Sequence, residues 1–550
     1  MSAPAQPDWI DVRHGGAPLL LFAPHGGRRT RSRRPGLDKV NDLHTAELTR
    51  ELGLACQAGW IINAVRDRNE VDLNRVRQVR ERAPWLLELL ATTLEDLVAT
   101  HGHATLVAIH GWNVVQPVCD LGVGLVEERG TCRPAGEGTA TVTPSFVRSR
   151  LRPLQVLARA HGVVVTIGAR YPAAHPSNLM QLFTPARADD PDPLLRRLAR
   201  LADQVDAVQL ELGIPLRWAG PRRTAFMRAL VEVLTPAAGT SPSPPRSAHA
   251  PTRGLACGGR PTTRVALQAA SGPLAVLTSV DVAASGAVAG RLLITDAVDR
   301  LVLFTGELAK RGAGPLHVPA LRFEARAPHA FDVRFAGPLL AFPMLTPFAD
   351  LEHGLAAGEL VEARLYLRFV PARPFAEVAD GATRFGTVTG VVRLGRARYR
   401  VQAHACANEG LGRSRPHPSV RLTLPATKAL GDLELHSRAA DAPPASSTTG
   451  VDTTRLRFSV TGTASRTPTT AVHGVLDVYG DPPATVRAHL ETKDGDAHAI
   501  DVALERLVPV HRPGAPGTVV ETIYALCLQR EAPAGWLELT TEYPAADDGA

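Results

Sequence analysis

Cysteine is scarce in this 550-residue sequence, with six residues at 56, 119, 132, 257, 406 and 527 and no Cys-x-x-Cys pair. That scatter excludes a disulfide framework and a cysteine zinc site, and it suits free thiols in a reducing compartment. Lysine is scarcer still: only positions 39, 310, 428 and 493 carry it, so nearly all of the 61 basic residues are arginine. Against 54 acidic residues the net charge is +7. The arginines lie among acids, without a nucleic-acid-binding motif, so nucleic acid is not an expected partner. No apolar run reaches the roughly 18 residues that a membrane helix needs, so membrane insertion is not expected. The opening MSAPAQPDWIDVRHGG has acid and proline where a signal peptide has a basic start and an apolar stretch. A cytoplasmic protein is the expectation.

What is present describes a globular chain, 45% hydrophobic and 21% charged, too long for one core. Residues 237–260 are rich in Pro, Ser, Ala and Gly, the composition of a linker. Before it, in 1–236, apolar runs at 17–23, 59–65, 105–109, 163–167 and 205–212 read as strands. They alternate with helical patterns over 42–54, 84–99, 145–160, 192–202 and 221–234. Alternation of this kind predicts an α/β domain with a mostly parallel, helix-covered sheet, whose ligands sit beyond the carboxyl ends of its strands. After the linker, 261–550 breaks into short alternating stretches separated by Gly and Pro. That half reads as all-β, of barrel or sandwich type, with a break expected near the Pro/Ser/Thr-rich 441–454.

One stretch raises a chemical question: LLLFAPHGGRRTRSRRPG, 19–36, runs from a buried strand into His25, two glycines and five arginines within seven residues. A strand end, a glycine turn and a solvated basic loop would account for it. The alternative is that His25 holds a metal. His110 ends the strand pattern LVAIH and precedes Gly111, and Glu211 closes VQLEL. Two histidines and a carboxylate delivered to one sheet edge are the donor set of a catalytic zinc. In VDLNR, 71–75, Leu73 anchors a segment from which Asp72, Asn74 and Arg75 can point into a cleft, an arginine fork suited to a substrate carboxylate.

These motifs resemble the N-formylglutamate amidohydrolase family, related in fold to zinc carboxypeptidases and aspartoacylases. Pro24-His25-Gly26-Gly27, Asn41-Asp42-Leu43-His44, Asp72-Leu73-Asn74-Arg75, Ile109-His110-Gly111 and Gln209-Leu210-Glu211-Leu212 follow the family's order. The resemblance covers the first half only. It implies a phosphorylase/hydrolase-like fold and one zinc per chain held by His25, Asp42 and His110. Glu211 is then the general base, and Asn74 and Arg75 hold a substrate carboxylate. The carboxypeptidase-like enzymes take a carboxylate three residues after the first histidine, where this chain has Arg28. The ligand therefore falls to Asp42, with Glu47 as the alternative. Arg28 or Arg170 is the candidate to stabilise an oxyanion, and His175 and Asn178 are further pocket candidates.

In the second half, 385–416 resembles the paired lipocalin-like barrels related to carotenoid hydratases. Here the turn reads Asn408-Glu409-Gly410-Leu411-Gly412-Arg413, without that family's tryptophan and histidine. A barrel enclosing an apolar ligand fits it better than catalysis. The leading expectation is a zinc-dependent amidohydrolase acting on an N-acyl amino acid or a related small anionic substrate. The alternatives are a non-catalytic protein binding an apolar ligand in its barrel, and a carboxypeptidase-like hydrolase of peptide or polyglutamate.

Overall fold

The computed structural model describes residues 7–27 and 40–235 apart from 129, and the strands and some turns between 261 and 544. The chain divides into two compact units, whose described residues are 7–235 and 261–544. No helix among the described residues is long and apolar enough to cross a membrane.

The first unit is built on one seven-stranded sheet. Its strands are β1 (Ile10–Arg13), β2 (Leu19–Ala23), β3 (Gly59–Asn63), β4 (Ala104–Trp112), β5 (Val118–Gly122), β8 (Val164–Ile167) and β9 (Val205–Gly213). They are ordered β1-β3-β2-β4-β9-β5-β8. The short hairpin of β6 (Leu125–Glu128) and β7 (Thr131–Pro134) stands apart from it. β3, β2, β4 and β9 run parallel, but β1 is antiparallel to β3, and β5 is antiparallel to β9 while parallel to β8. The sheet is therefore mixed, where the alternating pattern predicted a mostly parallel one. The strands that run against the other four are β1, β5 and β8; of these, the apolar runs revealed only β8. β5 reads VCDLG, and its central Asp120 interrupts the apolar signal.

Helices cover both faces, as five consecutive buried residues in β2 require. Leu19, Leu21 and Ala23 pack with Leu48 and Leu52 of α1 (Thr45–Cys56). α5 (Arg152–Arg159) and α8 (Pro221–Leu234) share that side, through Leu154 and Leu230. Leu20 and Phe22 point to the other side, against α2 (Val76–Arg82), α3 (Pro84–His101) and α6 (Pro193–Ala199). The terminators are legible in the residues. Pro84 opens α3 without a missing donor, and Gly102, at φ 75°, closes it with its N–H on Val98 O at 2.7 Å. A three-residue helix α4 (Pro144–Phe146) leads through a π turn at Val147–Leu151 into α5, and α7 (Ile214–Arg217) follows β9 directly.

All strand pairings of the second unit are antiparallel among the described residues. Ten strands, from Pro261–Ser271 to Ala397–Gly410, form one sheet, in which Leu301–Leu308 also pairs with Ala330–Phe342. That pairing closes eight of the ten into a ring. Eight further strands, from Ser419–Thr427 to Ala532–Pro544, make a closed barrel. The passage from sheet to barrel falls between Gly410 and Ser419. The expected break at 441–454 lies instead between two strands of the barrel, Gly431–Ser437 and Arg455–Ala464, and outside the described residues. Its composition marks a connection between neighbouring strands.

Candidate metal and catalytic site

Three segments of the first unit deliver their polar ends to one edge of the sheet. β2 stops at Pro24, and His25 follows with 1% of its surface exposed. The next two residues have to be glycine because the chain is squeezed there. A Cβ on Gly26 would lie 2.8 Å from Ala46 Cβ, and one on Gly27 only 2.1 Å from Arg66 O. Asn63, at the end of β3, pins the same turn: its Nδ2 donates to Pro24 O at 2.9 Å and to Arg66 O at 3.0 Å. Asp42 is tied to the turn by its backbone N–H, which donates to His25 O at 2.9 Å. Thr45 Oγ1 then donates to Asp42 O at 2.6 Å at the start of α1.

The side chains converge on one atom. Asp42 Oδ2 lies 3.1 Å from His25 Nδ1 and 3.2 Å from His110 Nδ1. All three residues are buried, and together they could hold a metal ion. The spacing suits one, since donors bound tetrahedrally at about 2.05 Å stand about 3.3 Å apart. The protons point the same way. His25 Nε2 lies 2.7 Å from Asp72 Oδ1. If both Nδ1 atoms instead donated to Asp42, His25 would have to carry a proton on each nitrogen. With a cation among the three donors, Nδ1 offers a lone pair and Nε2–H donates to Asp72, the usual support for a metal-bound histidine. Burial pushes the His110 imidazole down to about 4, despite its hydrogen bond to Asp42. It is therefore neutral near pH 7, the form a metal ligand needs. Burial opposes charge on Asp42, but Arg68 and His25 outweigh it and hold the carboxyl well below the ordinary range. Arg68 Nη1 donates to Asp42 Oδ1 at 3.0 Å, and its Nη2 stands 3.7 Å from Asp72 Oδ2.

Glu211 sits beside His110, its register partner on the parallel pair β4–β9. Burial first, then the negative charge of Asp42, raises its carboxyl to about 8. Gln209 Nε2 donates to Glu211 Oε1 at 2.7 Å, and Gln209 Oε1 accepts from Asn178 Nδ2 at 2.9 Å and Asn74 Nδ2 at 3.3 Å. One glutamine thus orients the acid and two asparagines of the pocket. Arg75, anchored by a bridge to Asn178, keeps its buried Nε without a hydrogen bond among the described residues; Asp72 Oδ2 is 3.9 Å away.

The structure brings His25, Asp42, His110, Glu211, Asn74 and Asn178 into one buried network and places three other candidates differently. Asp72 faces His25 rather than a substrate cleft, because its Oδ1 is already engaged by the imidazole. Glu47 is exposed on α1 and lies outside the cluster, whose carboxylate is that of Asp42. His175 is exposed and turned onto its own loop, 2.7 Å from Ser177 Oγ. Arg28 lies outside the described residues. Arg170 comes near by its backbone: Asp120, paired with Glu211 across β5–β9, accepts the N–H groups of Ala169, Arg170 and Tyr171 at 3.0, 2.7 and 2.7 Å.

Two residues were not visible in advance. Arg68 was hidden in a tract crowded with arginines. Arg217 is 1% exposed and donates to Leu212 O (3.0 Å), Leu43 O (2.8 Å), Trp112 O (3.2 Å) and Asn113 Oδ1 (2.9 Å). Leu43, Trp112 and Leu212 each lie within two residues of Asp42, His110 or Glu211, so one guanidinium spans all three segments. Burial lowers its pKa to about 10, with Asp42 and Glu211 opposing, and it remains charged.

No protein-family model and no curated protein sequence matches the chain. Among solved structures, similar ones include N-formylglutamate amidohydrolase from Ralstonia eutropha JMP134, 14% identical, covering 41% of this chain and 95% of its own, with a TM-score of 0.27. A protein provisionally called AttH from Nitrosomonas europaea is 11% identical over 54% of this chain and 98% of its own, at a TM-score of 0.32. CghA is 12% identical over 53% of this chain and 90% of its own, at 0.27. None of the three bears the name of a carotenoid hydratase. At these scores the likenesses assign no chemistry to this chain.

Proposed function

We propose that the first unit is a zinc-dependent amidohydrolase that cleaves the amide of an N-acyl, N-formyl-like amino acid or a related small anionic substrate. The observation that carries this is the meeting of two histidines and an aspartate on one buried carboxylate oxygen, with a second buried carboxyl beside them. His25, Asp42 and His110 hold the metal. When bound, a divalent cation polarises the scissile carbonyl, brings water ionisation toward neutral pH, and favours the ionised form of Glu211.

The chain's own residues supply the rest. Glu211, held by Gln209, takes a proton from the attacking water and delivers it to the leaving amine. Arg75 and Asn74 receive the substrate carboxylate; the planar fork fixes the distance from that carboxylate to the amide. Asp72 keeps the His25 ring oriented, and Arg68 holds both aspartates charged.

Elemental analysis of the purified wild type and His110→Ala tests the reading. About one zinc per wild-type chain, lost in the variant, together with release of formate from N-formyl amino acids, is the expected result. Wild-type protein that retains no metal and recovers none when zinc is added back would overturn it.

A further inference from the structure

The second unit contains a buried arginine, Arg384, whose Nε has no hydrogen-bond partner among the described residues. In the strand Glu359–Pro371, Leu365, Leu367 and Phe369 are buried while Arg364, Tyr366 and Arg368 face out. The buried set marks the inner face of the eight-stranded ring. Register carries that face onto the next strand, Ala382–Leu394, where Leu367 pairs with Gly390 and Phe369 with Val388. Two further steps of the pleat reach Gly386 and then Arg384, which is therefore on the inner face as well. Across the ring Arg384 is in line with Ala407, Leu267, Thr278, Leu292 and Phe304. None of these is more than 3% exposed, and the only polar one, Thr278, donates to Arg291 O at 2.9 Å.

Arg384 itself is 8% exposed, and its buried Nε has no hydrogen-bond partner among the described residues. The other buried arginines show what satisfaction looks like. Arg217 has four acceptors, and Arg291, 6% exposed on a strand of the same ring, donates to Asp281 Oδ2 at 2.8 Å. A buried N–H left without an acceptor is destabilising, because its desolvation is not offset by any pairing.

We propose that the inner face of this ring binds an amphipathic carboxylate, its head group on the Arg384 guanidinium and its apolar body against Leu267, Leu292 and Phe304. One guanidinium matches the single charge and planar geometry of a carboxylate. The surrounding apolar side chains match a hydrocarbon body. The site stands apart from the hydrolase reading and does not depend on it.

Titration of the full chain with a fluorescent long-chain carboxylic acid, beside its methyl ester, tests the proposal. Wild type should bind the acid about tenfold or more tightly than the ester, the factor expected for one charge-assisted pair. Arg384→Leu should bind acid and ester alike, and Arg384→Lys should keep part of the preference. Because the buried Nε is unpaired without ligand, Arg384→Leu should melt at or above the wild-type temperature. Equal wild-type affinity for acid and ester, or no saturable binding of the acid, would overturn the proposal. So would an Arg384→Leu chain that melts lower or fails to fold, since the charge would then already be satisfied within the protein.

Discussion

At the scale of the residue, the site turns on which carboxylate does what. Three acids lie within one shell of contacts and are driven apart by their surroundings. Asp42 and Asp72 face Arg68 and His25 and stay ionised, whereas Glu211, buried and beside the charge of Asp42, is raised to about 8. Environments that separate titrating groups in this way assign them different roles. Glu211→Gln should therefore keep the zinc of the wild type while lowering kcat/KM for an N-formyl amino acid by about 10²–10⁴-fold. Loss of metal in that variant would instead make Glu211 a ligand, and unchanged turnover would remove it from the chemistry. The sequence allowed His25, His110 and Glu211 to be singled out because each ends or follows an apolar strand, whereas Asp42 came only from the resemblance of its motif to the N-formylglutamate amidohydrolases. Asp72 was seen but given the wrong neighbour. Its partner, His25, lies 47 residues earlier, and only the fold shows that the imidazole takes the carboxylate first.

At the scale of the element, strand ends alone do not set the spacing of the donors. β4 and β9 run on past His110 and Glu211 in register, to Trp112 and Gly213, so both residues lie within paired strands where the apolar pattern placed them at the ends. The turn leading into α1 brings Asp42 in from a third direction. Arg217 joins these pieces through carbonyls of all three segments, and Gly111 makes room for it, since a Cβ there would stand 2.5 Å from Nη1. A buried arginine in a short helix has no periodic signature, which is why LELGIPLR offered no hint of a brace. Arg217→Met would strand those carbonyls without a donor and should destabilise the first unit by about 3–5 kcal/mol, since each buried acceptor left unpaired costs about 1–3 kcal/mol. Zinc affinity, measured by competition with a chelating dye, should fall about tenfold or more as the segments part. A second variant leaves the arginine in place and disturbs only its seat: Gly111→Ala should weaken zinc binding in the same direction. Wild-type affinity in both variants would show that the brace does not set the site.

At the scale of the whole molecule, two grammars in the sequence became two compact units. Runs apolar at every position became strands covered on both faces, and strict alternation became antiparallel strands with one face out, as in Glu359–Pro371. Pairing direction was less legible, because β1, β5 and β8 are short and join the sheet through neighbours distant in sequence. The division has a thermodynamic consequence. A ligand stabilises only the cooperative unit that binds it, by RT ln(1 + [L]/Kd), or about 2.7 kcal/mol at a hundredfold excess over Kd. For a unit of about 200 residues this raises the melting temperature by about 5–10 °C. Calorimetry of the full chain should therefore show one transition that falls when zinc is chelated and climbs again with added zinc, beside another that does not move. Addition of a long-chain carboxylic acid should do the reverse, raising the second transition and leaving the zinc-dependent one in place. If both transitions followed zinc together, the metal would be acting beyond the first unit. If neither did, His25, Asp42 and His110 would not be a metal site in this protein.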